Sequence, residues 1–240
     1  MAQLQRLAIA PSQLQEGKII LTTQQQHYLG HVLRLRGGDR FIAMDGLGQW
    51  WLAQLGVAQA QILEPIQIQT ELPVSVTLMA ALPKGNGFDE VVRYCTELGV
   101  ACIAPVLSDR TLPLPSPQKL ERWRRIAQEA AEQSERQIVP DILAPVPFRS
   151  GLCAAKQSQR YIGVARGTYP HLLGCLSDSI PPSMIIATGP EGGWTATEVE
   201  EAIAAGFQPV SLGRRILRAV TAPVVALSVV AAALEDRSQS

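Results

Sequence analysis

Short apolar runs separated by turn residues characterise the first 70 residues of the chain. Residues 41–44 and 50–53 form two such runs, and the Asp45-Gly46 pair after the first run is typical of a β-hairpin turn. Apolar residues then recur at β-type spacing toward Glu71. The pattern predicts a small β-rich domain over residues 1–71, either a barrel or a sandwich, with one short helix around residues 24–35.

From Leu72 onward, the pattern becomes an alternation of apolar strands and helices. Strands are predicted at 74–82, 100–107, 161–165, 184–188 and 208–212, and helices at 88–98, 118–134, 195–205 and 219–234. The helix at 195 opens with a capping-box pattern in which Thr195 is the N-cap and Glu198 its partner, and Gly206 ends it. Strands that alternate with helices predict an α/β domain over residues 72–240, with a mainly parallel sheet covered by helices.

Composition narrows the class of protein. The chain has 240 residues, of which 47% are hydrophobic, so a sizeable core is available. Its 21 Lys and Arg residues balance 21 Asp and Glu residues, which excludes a generally polybasic protein but allows a local basic patch. The N-terminus has no apolar signal-peptide core, and the longest uncharged apolar stretch, 219–234, is shorter than a membrane span. We therefore expect a cytoplasmic protein without membrane association.

The cysteines and histidines do not suggest a metal site. We expect reduced core thiols at all four cysteines, which form no Cys-x-x-Cys pair: Cys95, Cys102, Cys153 and Cys175. His27 and His31 lie four residues apart, but no further ligand pattern accompanies them. We expect no bound metal.

The densest chemical signal is the sequence Thr-Gly-Pro-Glu-Gly-Gly-Trp at 188–194, between a predicted strand and the capped helix. Open α/β sheets bind ligands at the carboxyl ends of their strands, and glycines allow the backbone to approach a ligand closely. The spacing matches neither a dinucleotide fingerprint, nor a phosphate-binding P-loop, nor a Gly-x-Ser-x-Gly hydrolase motif. A tight structural turn is the alternative interpretation.

Three further segments carry glycines or arginines next to predicted elements. Ser-Leu-Gly-Arg-Arg-Ile-Leu-Arg at 211–218 is either a solvated basic turn or a patch that faces phosphates. Leu-Pro-Lys-Gly-Asn-Gly follows a strand at 82–87, and residues 132–140 follow the long helix. The glycine-bearing loops could line one crevice. Because no defensible Ser/His/Asp grouping is present, we expect a bound cofactor to supply the chemistry.

Six motifs together identify a resemblance that covers nearly the whole chain. They lie in order at residues 27–39, 82–85, 96–99, 132–140, 189–193 and 211–218. In this order they resemble the 16S ribosomal RNA uridine-N3 methyltransferases, which belong to the SPOUT class of knotted methyltransferases. The resemblance implies a PUA-like β-barrel over 1–71 that helps hold RNA. It also implies a SPOUT-type α/β methyltransferase domain over 72–240, a C-terminal trefoil knot, and a homodimer.

The resemblance also implies S-adenosyl-L-methionine as the cofactor, bound between the knot loops. The residues of this chain that match those loops are Val164, Thr188, Gly189, Pro190, Glu191, Gly192, Gly193, Leu212, Gly213, Ile216 and Leu217. The expected partner is 16S ribosomal RNA of the small ribosomal subunit. The cations expected to contact the RNA are Arg6, Arg34, Arg36, Lys84 and Arg214.

A guanidinium is expected beside the uracil oxygens during methyl transfer. Arg136 is the first choice and Arg218 the second, with a structural ion pair or a phosphate contact as the alternative role of each. Two positions depart from the family pattern: Val220 stands where an acid is usual, and Tyr94 where a lysine is common. A ribose 2′-O-methyltransferase and a non-catalytic RNA-binding protein remain alternative functions.

Overall fold

A computed structural model describes residues 4–110, 114–176 and 181–238 of the chain. The chain divides into two compact units. The first contains residues 1–71 and the segment Ala131–Val139, and the second contains Leu72–Ala130 and Pro140–Ser240. The division after Glu71 lies at the boundary that the sequence analysis drew, but that analysis placed 131–139 in the second domain. No helix in the described ranges is long and apolar enough to cross a membrane.

The first unit is built on a six-stranded sheet. Its strands and helix are β1 (Arg6–Ala8), β2 (Leu14–Gln15), β3 (Lys18–Ile20), α1 (Thr23–His27), β4 (Arg40–Met44), β5 (Trp50–Leu55) and β6 (Gln59–Ile66). The strand order is β1-β4-β5-β6-β3-β2, in which only the β1–β4 pair is parallel. The predicted hairpin is confirmed, because β4 pairs with β5 around Asp45, whose carboxylate accepts the Leu47 and Gln49 amides at 2.8 and 2.9 Å.

The predicted short helix is also present in the first unit. Thr22 caps α1, and its side chain accepts a hydrogen bond from the Gln25 amide. A π-helical turn at Tyr28–Val32 continues α1. The core of this unit contains buried apolar residues of its strands, among them Ile19, Phe41, Ala53 and Ala60, together with Leu29 of the π-helical turn.

The second unit is a parallel α/β sheet, as the alternation of apolar patterns predicted. Its elements are β7 (Ser75–Ala81), α2 (Gly87–Glu97), β8 (Cys102–Leu107), α3 (Pro117–Gln133), β9 (Asp141–Ile142), β10 (Val146–Pro147), α4 (Phe148–Ala154), β11 (Gln159–Gly163), α5 (Leu172–Cys175), β12 (Ser183–Thr188), α6 (Ala196–Ala204), β13 (Gln208–Val210) and α7 (Thr221–Ser238). The last three residues of α3 are counted with the first unit.

Strand order determines where the loops of this sheet meet. The order is β10-β8-β7-β12-β11-β13, with β9 also on β8, and every pair is parallel. Strand β12 therefore lies between β7 and β11, and the loops after β11, β12 and β13 leave the same edge of the sheet. Five successive residues of β12, from Met184 to Thr188, are buried, as the continuous apolar run predicts for a central parallel strand.

Local sequence explains how the loop after β12 ends. Thr195 Oγ1 accepts a hydrogen bond from the Glu198 amide at 3.2 Å, and Glu198 Oε2 accepts one from the Thr195 amide at 2.7 Å. This is the predicted capping box, and it fixes the first turn of α6. Gly206 follows α6 with φ +82°, which confirms the predicted stop.

Candidate functional site

Three loops of the second unit line a cavity of about 710 Å³ at the carboxyl ends of β11, β12 and β13. Ten of the eleven residues predicted to bind the cofactor form part of its wall: Val164, Gly189, Pro190, Glu191, Gly192, Gly193, Leu212, Gly213, Ile216 and Leu217. The strand order brings these loops together, although they lie up to 53 residues apart in sequence (164 to 217). The size suits an organic ligand, for which protein pockets measure roughly 300–1,000 Å³.

Thr188 is the predicted residue that the cavity wall does not include. It ends β12, its side chain is 2% exposed, and its Oγ1 has no hydrogen-bond partner in the described part of the chain. Thr188 therefore lies beneath the 189–193 loop in the sheet rather than at its surface.

Glycine is required at two positions of the 189–193 loop for different reasons. Gly193 has φ +68°, and its amide donates to the Pro190 carbonyl at 2.8 Å, which closes a tight turn. Gly189 leaves room for an indole, because a Cβ at this position would lie 3.2 Å from Trp194 Nε1. Trp194 stacks on Phe148 with ring centroids 4.3 Å apart. The loop is therefore a hydrogen-bonded turn that packs against the Trp194 ring.

Glu191 connects the loop to a second glycine-bearing segment. Its carboxylate accepts a hydrogen bond from the Lys84 amide at 2.9 Å, so the 82–87 segment is held against the cavity loop. The Lys84 side chain itself is exposed. Glu191 thus has a structural partner and lines the cavity at the same time.

Arg110 is a cavity residue that the sequence analysis missed. It follows β8 and donates a hydrogen bond from its guanidinium to the Gly192 carbonyl oxygen. The cavity wall also contains Arg166, Tyr169, Trp194, Glu200 and Arg215, which were not among the residues predicted to bind the cofactor. The position of Arg110 shortly after a strand could have identified it, because β8 belongs to the same parallel sheet as β11 and β12.

Arg136, the first choice for catalysis, lies in the first unit and outside the cavity wall. Its side chain is 3% exposed and forms an ion pair with Glu71, whose Oε2 also accepts from Arg136 Nε at 3.2 Å. Glu71 Oε1 accepts the amides of Gln137 and Ile138 at 2.9 and 3.2 Å. The structural ion pair, which was the alternative role, is the one that the contacts of Arg136 support.

Hydrogen bonds explain why residues 131–139, here called the returning segment, belong to the first unit. Glu132 Oε1 accepts the Ala8 amide at 3.0 Å, and the Val139 amide donates to the Gly46 carbonyl at 2.9 Å. Arg6, a predicted RNA contact, pairs with Glu135 at 2.7 Å and lies over the Trp50 ring. The Arg6 guanidinium is therefore engaged within the first unit rather than free for a phosphate.

Four other predicted arginines are exposed. Arg34 and Arg36 follow the π-helical turn of the first unit, and Arg34 has φ +59°. Arg214 and Arg218 lie on the loop between β13 and α7, and the Arg218 carbonyl accepts the Thr221 amide at 2.9 Å at the start of α7. Arg218 is not among the cavity residues, whereas Arg215, between these two, is.

The four cysteine thiols differ in their exposure to solvent, and burial raises the pKa most at two of them. Burial raises the pKa of the Cys95 thiol, and burial together with the charge of Asp141 raises that of Cys102 to about 11. Both remain protonated at neutral pH and are poor nucleophiles. The expectation that all four cysteines lie in the core is wrong for Cys153, which is exposed.

Within the described residues, no group of three His, Cys, Asp or Glu side chains is arranged to hold a metal ion. The His27 and His31 rings stack on each other, with centroids 4.6 Å apart. This pair is exposed on the first unit.

Comparison with known proteins agrees with the two-unit organisation. Residues 70–231 match the RNA methyltransferase domain family, and residues 21–63 match the RNA methyltransferase PUA domain family. The chain is 52% identical over 237 residues to the ribosomal RNA small subunit methyltransferase E of Synechocystis sp., covering 96% of this chain and 78% of that protein. It is 30% identical over 225 residues to the protein of the same name from Bacillus subtilis, covering 88% of each.

Solved structures show the same fold. The ribosomal RNA small subunit methyltransferase E of Neisseria gonorrhoeae, bound to S-adenosyl methionine, is similar with a TM-score of 0.86 and 33% identity, over 94% of this chain and 96% of that one. A putative methyltransferase from Legionella pneumophila in complex with the same cofactor gives a TM-score of 0.86 at 28% identity, over 97% and 98% of the two chains. The predicted fold class, a PUA-like domain followed by a SPOUT-type α/β methyltransferase domain, is thereby confirmed. This chain belongs to the family of RNA methyltransferases that carry a PUA domain.

Proposed function

We propose that this chain is an S-adenosylmethionine-dependent methyltransferase that acts on N3 of a uridine in 16S ribosomal RNA of the small ribosomal subunit. The observation that carries the proposal is the glycine-lined cavity at three adjoining strand ends in a chain of the RNA methyltransferase family. Two similar structures hold S-adenosyl methionine, and the named relatives are ribosomal RNA small subunit methyltransferases. A ribosomal RNA substrate supports a cytoplasmic location.

The cavity has the features that S-adenosylmethionine needs. Val164, Leu212 and Leu217 would offer apolar surface to the adenine and to the carbons next to the sulfonium sulfur, and the 189–193 backbone would offer hydrogen-bonding groups. A Cβ built on Gly193 meets nothing within 4 Å, so a side chain there would enter open space at the cavity wall. When bound, S-adenosylmethionine supplies an electrophilic methyl group attached to a sulfonium ion.

The uracil must lose its N3 proton before this nitrogen can accept a methyl group. Negative charge then spreads onto O2 and O4, and a guanidinium beside these oxygens lowers the free-energy cost. Arg215 is the best-placed candidate, because it lines the cavity and is exposed. Arg218 follows on the same loop and is the second candidate. Arg136 is assigned no role in this step because its guanidinium is buried against Glu71.

The exposed cations provide the RNA contacts. Arg34 and Arg36 lie on the PUA-like unit, and all four cations of this set are exposed. Lys84 lies on the segment whose amide Glu191 accepts, and Arg214 lies between the cavity residues Gly213 and Arg215. Arg6 is omitted from this set because it pairs with Glu135. Phosphate contacts of this kind position RNA without reading its sequence.

We also infer that the chain is knotted and forms a homodimer. The Val164 amide donates to the Val210 carbonyl at the end of β13, and the amide of the next residue, Ser211, donates to the Pro170 carbonyl. Both ends of the loop after β11 are therefore hydrogen-bonded to the chain where it leaves β13. Such contacts support a chain threaded past this loop. Exposed and half-exposed positions of α7 include Val225, Val229 and Ala232, an apolar surface that suits a second copy. Sedimentation at micromolar concentration should give about twice the chain mass.

Nucleoside mass spectrometry of ribosomal RNA from a strain that lacks the gene tests the function. Loss of N3-methyluridine, restored by the native gene, is the expected result. Loss of a 2′-O-methylated nucleoside instead would establish a ribose methyltransferase. Unchanged modification would establish an RNA-binding protein without this activity.

A further inference from the structure

We propose that Arg110 is a positioning residue that holds the 189–193 loop in its ligand-binding shape through the Gly192 carbonyl oxygen. The proposal rests on the proposed function, because it assumes that the cavity binds S-adenosylmethionine. The guanidinium of Arg110 donates to this carbonyl, and Arg110 also lines the cavity. The two residues lie 82 positions apart, so the contact joins the end of β8 to the loop after β12.

The loop needs such a restraint because glycine peptides rotate freely. Three of the five residues in 189–193 are glycines, and a glycine loses more conformational entropy on ordering than any other residue. Glu191 holds one side of the loop by accepting the Lys84 amide at 2.9 Å. Arg110 holds the next residue, Gly192, from another strand end.

The backbone of Arg110 is itself held in place. The Asp109 amide donates to Glu198 Oε1 at 2.9 Å, and Thr195 Oγ1 donates to Asp109 Oδ2 at 3.4 Å. The Arg110 amide donates to Ser108 Oγ at 3.3 Å. Because Glu198 and Thr195 form the capping box of α6, the same cap orients both the loop and the residue that holds it.

Gly192 is shaped to receive the arginine. A Cβ built on Gly192 would lie 2.9 Å from Arg110 Cδ, closer than real Cβ contacts allow. The aliphatic stem of Arg110 therefore covers the α-carbon of Gly192 while its head reaches the carbonyl oxygen.

Two ligands separate positioning from direct charge recognition. S-adenosylhomocysteine carries a carboxylate that a guanidinium could bind, whereas 5′-methylthioadenosine lacks the amino-acid part. If Arg110 acts through the loop, its removal weakens both ligands by the same factor. If it binds the carboxylate, only S-adenosylhomocysteine is affected.

The experiment is isothermal titration of native protein, Arg110→Met and Arg110→Lys with both ligands. We expect Arg110→Met to weaken both ligands about tenfold, the size of one charge-assisted hydrogen bond, and Arg110→Lys to restore part of the loss. The control is Arg124→Met, which removes an exposed pair with Glu121 on α3 and should leave both affinities unchanged. Thermal unfolding confirms that each variant is folded.

Unchanged affinity for both ligands in folded Arg110→Met would overturn the proposal, as would a loss confined to S-adenosylhomocysteine. Arg110→Lys extends the test, since it keeps the charge and a donor even where methionine perturbs the fold. Failure of the native protein to bind either ligand would refute the proposed function instead, so the two failures are distinguishable.

Discussion

The returning segment Ala131–Val139 and the cavity loops both carry family motifs with arginines, yet they use their polar groups in opposite ways. In the returning segment, Arg136 is 3% exposed and pairs with Glu71, and the Glu71 carboxylate also accepts hydrogen bonds from backbone amides of the segment. In the cavity loops, Gly193 and Gly213 turn with positive φ, and Arg215 remains exposed.

The difference separates charged residues that stabilise the fold from charged residues that are available to bind a ligand. A charged group that is buried and paired has already used its interactions to hold the fold, so it has little left for a substrate. A loop that leaves its backbone and cations exposed at strand ends keeps them available for ligands. Predictions that disturb one region and not the other test this separation.

The largest effect is expected in the returning segment. Glu71→Gln removes the carboxylate that pairs with the buried Arg136 guanidinium, and removing one partner of a buried ion pair costs about 3 kcal/mol of unfolding free energy. Urea denaturation measures the loss. Glu121→Gln, which breaks an exposed pair with Arg124, serves as the control and should cost less than about 0.5 kcal/mol. If Glu71→Gln lowers the free energy of unfolding no more than the control does, the ion pair does not stabilise the fold.

A nearly equal effect is expected on turnover at the cavity. Arg215→Met should lower kcat about a hundredfold, the usual consequence of removing one preorganised donor from a developing anion, while the affinity for S-adenosylhomocysteine changes little. Steady-state methylation of small-subunit RNA measures kcat, and single-turnover methylation shows that the loss is in the chemical step. Arg218→Met is assayed in parallel. A larger loss of kcat in Arg218→Met would make Arg218, and not Arg215, the first candidate for stabilising the uracil anion.

A smaller effect is expected on ligand affinity. Gly192→Val would force the Arg110 side chain away, because the new Cβ lies 2.9 Å from Arg110 Cδ. Losing the charge-assisted hydrogen bond from Arg110 to the Gly192 carbonyl corresponds to roughly tenfold weaker S-adenosylhomocysteine binding by calorimetry. Gly174→Val is the matched control, since a Cβ on Gly174 meets nothing within 4 Å. Native affinity in folded Gly192→Val would show that this loop does not shape the site.

The smallest effect is expected on RNA binding. Replacing Arg34 and Arg36 by alanine should weaken RNA binding and flatten the plot of log affinity against log salt by up to about 1.4, at about 0.7 per single-strand phosphate contact. Filter binding at several salt concentrations gives the slope. Arg124→Ala with Arg125→Ala removes the same charge from α3 and is the control. Equal slopes in the two double variants would exclude a specific role for the PUA-like unit in RNA binding.

Local residue patterns are sufficient to predict the strands and helices and the location of the cavity loops. The hairpin at Asp45 and the cap at Thr195 rest on hydrogen bonds between residues no more than four apart, so local residue types predict them. The alternation of strands and helices determines a parallel sheet, and a parallel sheet gathers its strand-end loops at one edge. Ten predicted cavity residues follow from this rule and from the family motifs.

Which charged side chains are paired and which are exposed depends on contacts between residues far apart in sequence. Arg136 meets Glu71 across 65 positions, and Arg110 meets Gly192 across 82, so neither pairing leaves a periodic or adjacent trace in the sequence. The same holds for residues 131–139, which leave the long helix and pack with the first unit through contacts with Ala8 and Gly46. Partners so distant along the chain are selected by the packing of whole elements, because the free energy of burying a charge depends on its neighbours in space.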